Sequence, residues 1–260
     1  MSVDLHRHFH DDLNDVKVRL LTMSGEAEAA LGLAVEALLE RDAGKAQQVI
    51  AGDRVIDDME VDIEETCVNL LALQQPMARD LRMLTSALKI ANDLERVGDH
   101  AVNIAQSAER LTQSRPIAPE PEIIEMARLA REMLSDALEA FIRSDAAGGR
   151  DVCIRDDKVD NRHRSVFRIL LTHMMEDPHM IGSGIALNWT ASDLNGMGTI
   201  SASVEGPTIS SSGGRPDPDV LPPRPHTITR TATNAPGHPP HVTPPPAPHG
   251  PRPAQHREPH

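Results

Sequence analysis

Asp53 and Asp57 stand four residues apart, as do Glu95 and Asp99, and Asp156 and Asp160. On a helix that spacing places both carboxylates of a pair on one face. Glu60 and Glu64 extend the first pair into a stripe. Like charges at this spacing repel by a few tenths of a kcal/mol per pair, and a bound divalent cation reverses the sign. Oxygen ligands on facing helices suit Mg²⁺, Mn²⁺, Fe or Ca²⁺. For the Asp53 stripe alone, a solvated acidic face is the simpler reading. Glu95 falls inside an apolar seam of Leu81, Leu84, Leu88, Ala91, Gly98, Val102 and Ala105. A carboxylate facing a helical interior must be paired, hydrogen-bonded, protonated or metal-bound. Arg96 offers an ion pair instead of a metal. Asn92 and Asn103 line the same polar strip, and His100 adds a nitrogen beside it, more a neighbour than a ligand. Gly98 costs about 1 kcal/mol relative to Ala in a helix, which points to close approach of another helix or a ligand. The Glu-x-x-His pairing of di-iron bundles is absent, because Gly98 stands third after Glu95.

These pairs need helices to hold them. Residues 5–41 carry an apolar face: Leu20, Met23, Ala27, Leu31, Val35 and Leu38. After a turn at Asp42-Ala43-Gly44, residues 45–73 repeat every seven at Val49, Ile56, Ile63 and Leu70, the pattern of bundle packing. Pro76 is expected in the first turn of a third helix reaching about residue 113. Pro116, Pro119 and Pro121 break the chain. A fourth helix is expected over 121–144, a break at Ala146-Ala147-Gly148-Gly149, a fifth helix over 150–176, and a sixth beginning at Asp177-Pro178. The order repeats. Asp53-x-x-x-Asp57 matches Asp156-x-x-x-Asp160, Pro76 matches Pro178, and Asp93-Leu94 matches Asp193-Leu194. A duplication of roughly a hundred residues accounts for this. The expected fold class is all-α, with two tandem three-helix bundles over residues 1–115 and 120–194.

Composition agrees. Aromatic residues are 2% of the chain and there is no Tyr, which disfavours strands. Net charge is −13, which disfavours nucleic acid and anionic lipid as partners. Cys67 and Cys153 lie far apart, in no metal-type spacing, and are expected as buried thiols or near-neutral positions, without a disulfide. The charged N-terminus lacks the apolar stretch of a signal peptide, and no apolar run approaches ~18 residues. The expected location is cytoplasmic. From residue 195 to 260 the composition changes, with sixteen of the 21 prolines and six histidines. That segment is expected to be disordered. There is no P-loop, Gly-rich phosphate cradle or nucleophile motif. A metal-dependent phosphohydrolase of helical-bundle type is the competing functional reading, supported by the carboxylate clustering alone.

Leu73 to Arg82, Leu-x-Gln-Pro-x-Ala-x-Asp-Leu-Arg, and Glu95 to Ile104, Glu-Arg-x-Gly-Asp-x-x-x-Asn-Ile, are similar to motifs of the PhoU family. The resemblance spans about residues 10–194. It implies a non-enzymatic cytoplasmic regulator of phosphate homeostasis that restrains the phosphate ABC transporter through its ATPase. It also implies that a phosphate-sensing histidine kinase is kept inhibitory when phosphate is plentiful. It further implies a homodimer and multinuclear metal clusters of Fe, Mn, Mg or Zn. Carried over by motif, the ligands are Asp53, Asp57, Glu95, Asp99, Asp156 and Asp160.

The second bundle departs from the family. A second Glu-Arg-x-Gly-Asp-His-like motif belongs after Asp193-Leu194, where this chain has Asn195-Gly196-Met197-Gly198-Thr199-Ile200. Codons exist for Leu194 to Ile200 whose bases, read from the third base of the Leu codon, spell Glu-Arg-x-Gly-Asp-His. One lost base at codon 194 would make the later residues an out-of-frame product of a GC-rich gene. The sixth helix would then stop halfway, and Asp156 and Asp160 would lack facing ligands.

Overall fold

The three- and four-residue apolar steps become helices in a computed structural model, which describes residues 2–74, 76–114 and 120–200, with side chains from residue 9 onward. They are α1 (Ser2–Glu40), α2 (Ala43–Gln74), α3 (Ala78–Thr112), α4 (Pro121–Arg143), α5 (Ala146–Glu176) and α6 (Ile181–Gly196). A 3-10 turn, Pro178–Met180, leads into α6. There is no strand among the described residues. α1, α2 and α3 pack on one another, as do α4, α5 and α6, while α3 against α6 and α1 against α4 join the two sets. The fold is all-α, two three-helix bundles in tandem.

The duplication extends into the packing. Leu20, Met23, Ala27, Leu31, Ala34, Ala37 and Leu38 are buried on α1. At one constant offset, Ile123, Met126, Ala130, Leu134, Ala137, Ala140 and Phe141 are buried on α4. The heptad positions Val49, Ile56 and Ile63 of α2 recur as Val152, Val159 and Val166 of α5, all buried. Burying such a side chain contributes about 1.5–3 kcal/mol, so each helix is held by its stripe rather than by propensity.

The turns repeat as well. α1 ends in Arg41 and α4 in Ser144, both left-handed, at φ 55° and φ 56°. The next residue in each case is an aspartate that caps the following helix. Asp42 Oδ1 accepts from the Gly44 and Lys45 amides at 2.7 and 3.1 Å, and Asp145 Oδ1 accepts from Ala147 at 2.9 Å. Such caps satisfy amides that have no partner inside the helix.

Several boundaries differ from the sequence reading. The Ala146–Gly149 stretch is the first turn of α5 rather than a break. The Asp145 cap holds it there, and a Cβ at Gly148 would lie 2.9 Å from Asp145 Oδ2. Pro76 lies outside α3, ahead of the N-cap Met77. Asp177 does cap, accepting from the His179 amide at 2.9 Å, and Pro178 follows in the first turn. The change of composition at Leu194 is not a structural edge: α6 continues to Gly196, and Met197 and Ile200 are buried. The expected disorder of the tail, apart from residues 195–200, concerns residues outside those described.

Candidate functional site

α3 is wide-faced. Ile90, Val97, Ile104 and Leu111 are buried on it, beside Leu84, Ala87, Ala91, Leu94, Gly98, Ala101, Ala105 and Ala108. Leu81 is exposed, and Leu88 and Val102 are only partly buried, so the seam is rotated from the sequence expectation. This rotation moves Glu95 from the centre of the buried face to its edge, where it is half-buried. Small residues dominate the centre because α1 and α2 both press on this helix. Gly98 shows how close α2 comes: a Cβ there would lie 3.1 Å from Ile56 Cδ1 and 3.4 Å from Asp53 Oδ1.

The first-bundle acids meet across this contact. Burial pushes the Asp53 carboxyl above its ordinary range, and Asp57 and Asp99 add to the shift. Glu95 is raised by burial first, then by Asp99, Glu60, Asp57 and Asp53. Asp53, Asp57 and Glu60 on α2 and Glu95 and Asp99 on α3 therefore form one patch of mutual repulsion. Arg96, the alternative ion-pair partner for Glu95, is exposed and makes no ion pair among the described residues. No three His, Cys, Asp or Glu side chains among the described residues converge closely enough to hold a metal ion. The donors are oxygen-only and mutually repelling, which is the donor chemistry of a hard cation, while their geometry here does not bring three of them to one point.

His100 and Asn103 reach from α3 toward α6. His100 Nδ1 lies 3.1 Å from Asp193 Oδ1, and Asn103 Nδ2 donates to the same oxygen at 3.3 Å. This joins α3 to α6, and hence one repeat to the other. His100 Nε2 is buried without a hydrogen bond, and a Cβ at Gly196 would sit 2.6 Å from it. Asn103 lies one turn after Asp99, and its amide is turned to Asp193 of α6. Asp193, and its repeat counterpart Asp93, buried on α3, carry more of the interior polarity than Glu95 does. Neither was singled out from the sequence. Their signal was the Asp-Leu match between repeats, which marked alignment rather than burial.

The second acidic pair sits differently. Asp160 lies 3.9 Å from Arg164, one turn on. Asp156 packs against Gly198, where any Cβ would collide with its carboxylate. Gly98 against Asp53 and Gly198 against Asp156 are thus the same close contact in the two bundles. The two differ in their carboxylates: Asn195 and Thr199 stand where the first bundle has Glu95 and Asp99. The second pair therefore lacks the facing carboxylates of the first. Nearby, His163 Nε2 lies 3.2 Å from Ser192 Oγ, and burial holds this imidazole below its ordinary range.

Both α5 and α6 carry large apolar side chains on their surfaces. Phe167, Leu171 and Met175 follow one another up α5, and Ile181, Ile185 and Trp189 run back down α6, all exposed. Arg110 of α3 lies over the Trp189 ring, 5.0 Å from its centroid. No described helix is long and apolar enough to cross a membrane.

A family model described as the PhoU domain matches the chain twice, over residues 20–108 and 123–204. The phosphate-specific transport system accessory protein PhoU homolog of Aquifex aeolicus is 38% identical over 180 residues, 69% of this chain and 81% of that protein. The accessory protein PhoU of Escherichia coli is 34% identical over 205 residues, 76% of this chain and 83% of that one. Among solved structures, the crystal structure of PhoU from Pseudomonas aeruginosa matches with a TM-score of 0.75 at 36% identity, covering 80% of this chain and 100% of that chain. The phosphate transport system regulatory protein PhoU from Streptococcus pneumoniae matches with a TM-score of 0.73 at 26% identity, covering 80% and 98%.

Proposed function

Because this chain belongs to the PhoU family, we propose that it negatively regulates phosphate uptake, restraining the phosphate ABC transporter through its ATPase in the cytoplasm. It also keeps the phosphate-sensing histidine kinase inhibitory when phosphate is plentiful, and it works as a homodimer. The observation that carries this reading is the two-fold match to the PhoU domain over both helical bundles. The relatives are named as accessory proteins of phosphate-specific transport rather than as enzymes. The chain is accordingly a regulator, and carboxylate clustering alone leaves the phosphohydrolase reading without support.

A metal ion enters this proposal in one bundle only. Asp53, Asp57, Glu95 and Asp99 would hold it, whether Fe, Mn, Mg or Zn, with Glu60 beside them. Bound there, the cation supplies the positive charge that offsets their repulsion and ties α2 to α3. Asp156 and Asp160 hold none. Protein partners would find a surface at the exposed apolar side chains of α5 and α6, since exposed apolar groups of this size mark association sites where they cluster. Co-purification tests the reading. The tagged chain, expressed in cells grown in high phosphate, is expected to retain the transporter ATPase. Recovery of a stable chain with neither the ATPase nor the kinase would refute it.

A further inference from the structure

The chain has an excess of carboxylates, with 39 Asp and Glu against 26 Lys and Arg. Some of its cations are accordingly held between two acids. Lys45 reaches Glu36 and Glu40, Arg128 reaches Glu125 and Glu132, Arg155 reaches Asp136 and Asp151, and Arg162 reaches Glu122 and Glu125. One cavity gathers several cations that form no ion pair among the described residues. A cavity of about 550 Å³ opens between the N-terminal part of α1, the start of α3 and the end of α4. Lys17, Arg79, Arg82 and His10 line it, with Asp80 the one carboxylate among the lining residues. Lys17, Arg79 and Arg82 form no ion pair among the described residues. Asn14 and Ser144 add hydrogen-bonding groups, and Leu13, Met77, Met83 and Phe141 supply apolar wall.

We propose that this cavity binds a small phosphate-bearing molecule, its anionic groups held by Lys17, Arg79 and Arg82. Three cations left unneutralised in an acidic protein raise the local positive potential where the remaining surface repels anions. Two guanidiniums three residues apart on one helix can each engage phosphate oxygens in a fork. The volume lies within the range of small-molecule sites, about 300–1,000 Å³, which leaves room for more than one phosphate. The apolar wall suits an attached organic group. Both nucleotides and inorganic pyrophosphate carry the required chemistry. The inference does not depend on the transporter reading, since it concerns binding by the isolated chain.

The test is calorimetric titration of the full chain with ADP and, separately, with pyrophosphate. At least one should bind, and its affinity should fall at least tenfold in the Arg79→Gln/Arg82→Gln double variant and also in Lys17→Gln. Arg54→Gln, a cation on α2 outside the cavity, should leave binding unchanged. Binding should weaken between 50 and 300 mM KCl. ADP binding with no pyrophosphate heat would place the source among nucleotides, and the reverse would place it among inorganic phosphates. The proposal is overturned if neither ligand binds, or if the double variant, with an unchanged helical melt, binds as the parent does.

Discussion

Asp53 and Glu95 are held above the ordinary carboxylate range, chiefly by burial and then by each other's neighbours. The folded chain therefore takes up protons more readily than the unfolded one at these two sites. Their contribution favours folding below the ordinary carboxylate range of about 4 and is lost as pH rises through the raised values. Glu95→Gln is expected to raise stability at pH 7 by on the order of 0.5 kcal/mol, the scale of a few like-charge pairs. It should have no effect at pH 3. Urea titrations at both pH values check this, and a loss of stability at pH 7 would mean that Glu95 is engaged favourably. A saturating divalent cation should reverse the order, stabilising the parent more than the variant. His100 makes a second prediction. His100→Ala removes the main partner of Asp193, whose carboxylate is largely buried. It is expected to cost about 1–3 kcal/mol, the penalty for a buried polar group that loses its partner, and His100→Asn less. Thermal melts of both variants decide it. The acidic patch was legible in the sequence because four-residue spacing survives any rotation of a helix. The His100–Asp193 bond was not, because it joins residues far apart whose faces depend on how α6 docks.

At the scale of the element, the left-handed turns and their caps are open to direct test. Ser144 has a positive φ that glycine adopts without strain. Ser144→Gly is expected to stabilise by roughly 0.5–1 kcal/mol. Asp145→Ala, in the same turn, is expected to destabilise by about 1 kcal/mol through loss of the Ala147 cap. Denaturant midpoints with unchanged slopes would confirm both, whereas a destabilised Ser144→Gly would show that the hydroxyl is used. Helix number and stripe were readable here because heptads such as Val49, Ile56 and Ile63 are insensitive to context. The start of α5 was not. Two glycines there resemble a break, and only the Asp145 cap, a contact of the folded backbone, turns them into a first turn. The rotation of α3 escaped for a related reason. A helix pressed from two sides buries Ala and Gly, and these look neutral in a search for large apolar residues.

Across the whole molecule, the repeat sets one bundle's chemistry against the other's. The backbone contact is duplicated, Gly98 on Asp53 and Gly198 on Asp156, but the second pair of α3-type acids is missing after Leu194. The proposed out-of-frame origin of the residues beyond Leu194 is tested by the gene sequence: codons that cannot yield Glu-Arg-x-Gly-Asp-His in the neighbouring frame would end it. The exposed side chains of Phe167, Leu171, Ile185 and Trp189 bear on assembly. If the proposed homodimer forms through these side chains, Leu171→Asp with Ile185→Asp is expected to shift it to monomer in sedimentation, with helix content kept. An unchanged dimer would place the interface elsewhere. The central claim, restraint of phosphate uptake, is tested most directly by measuring radiolabelled phosphate entry into cells that lack their own PhoU protein, with and without this chain expressed. The account predicts slower uptake in high phosphate when the chain is present. Equal uptake with the chain stably accumulated would contradict it.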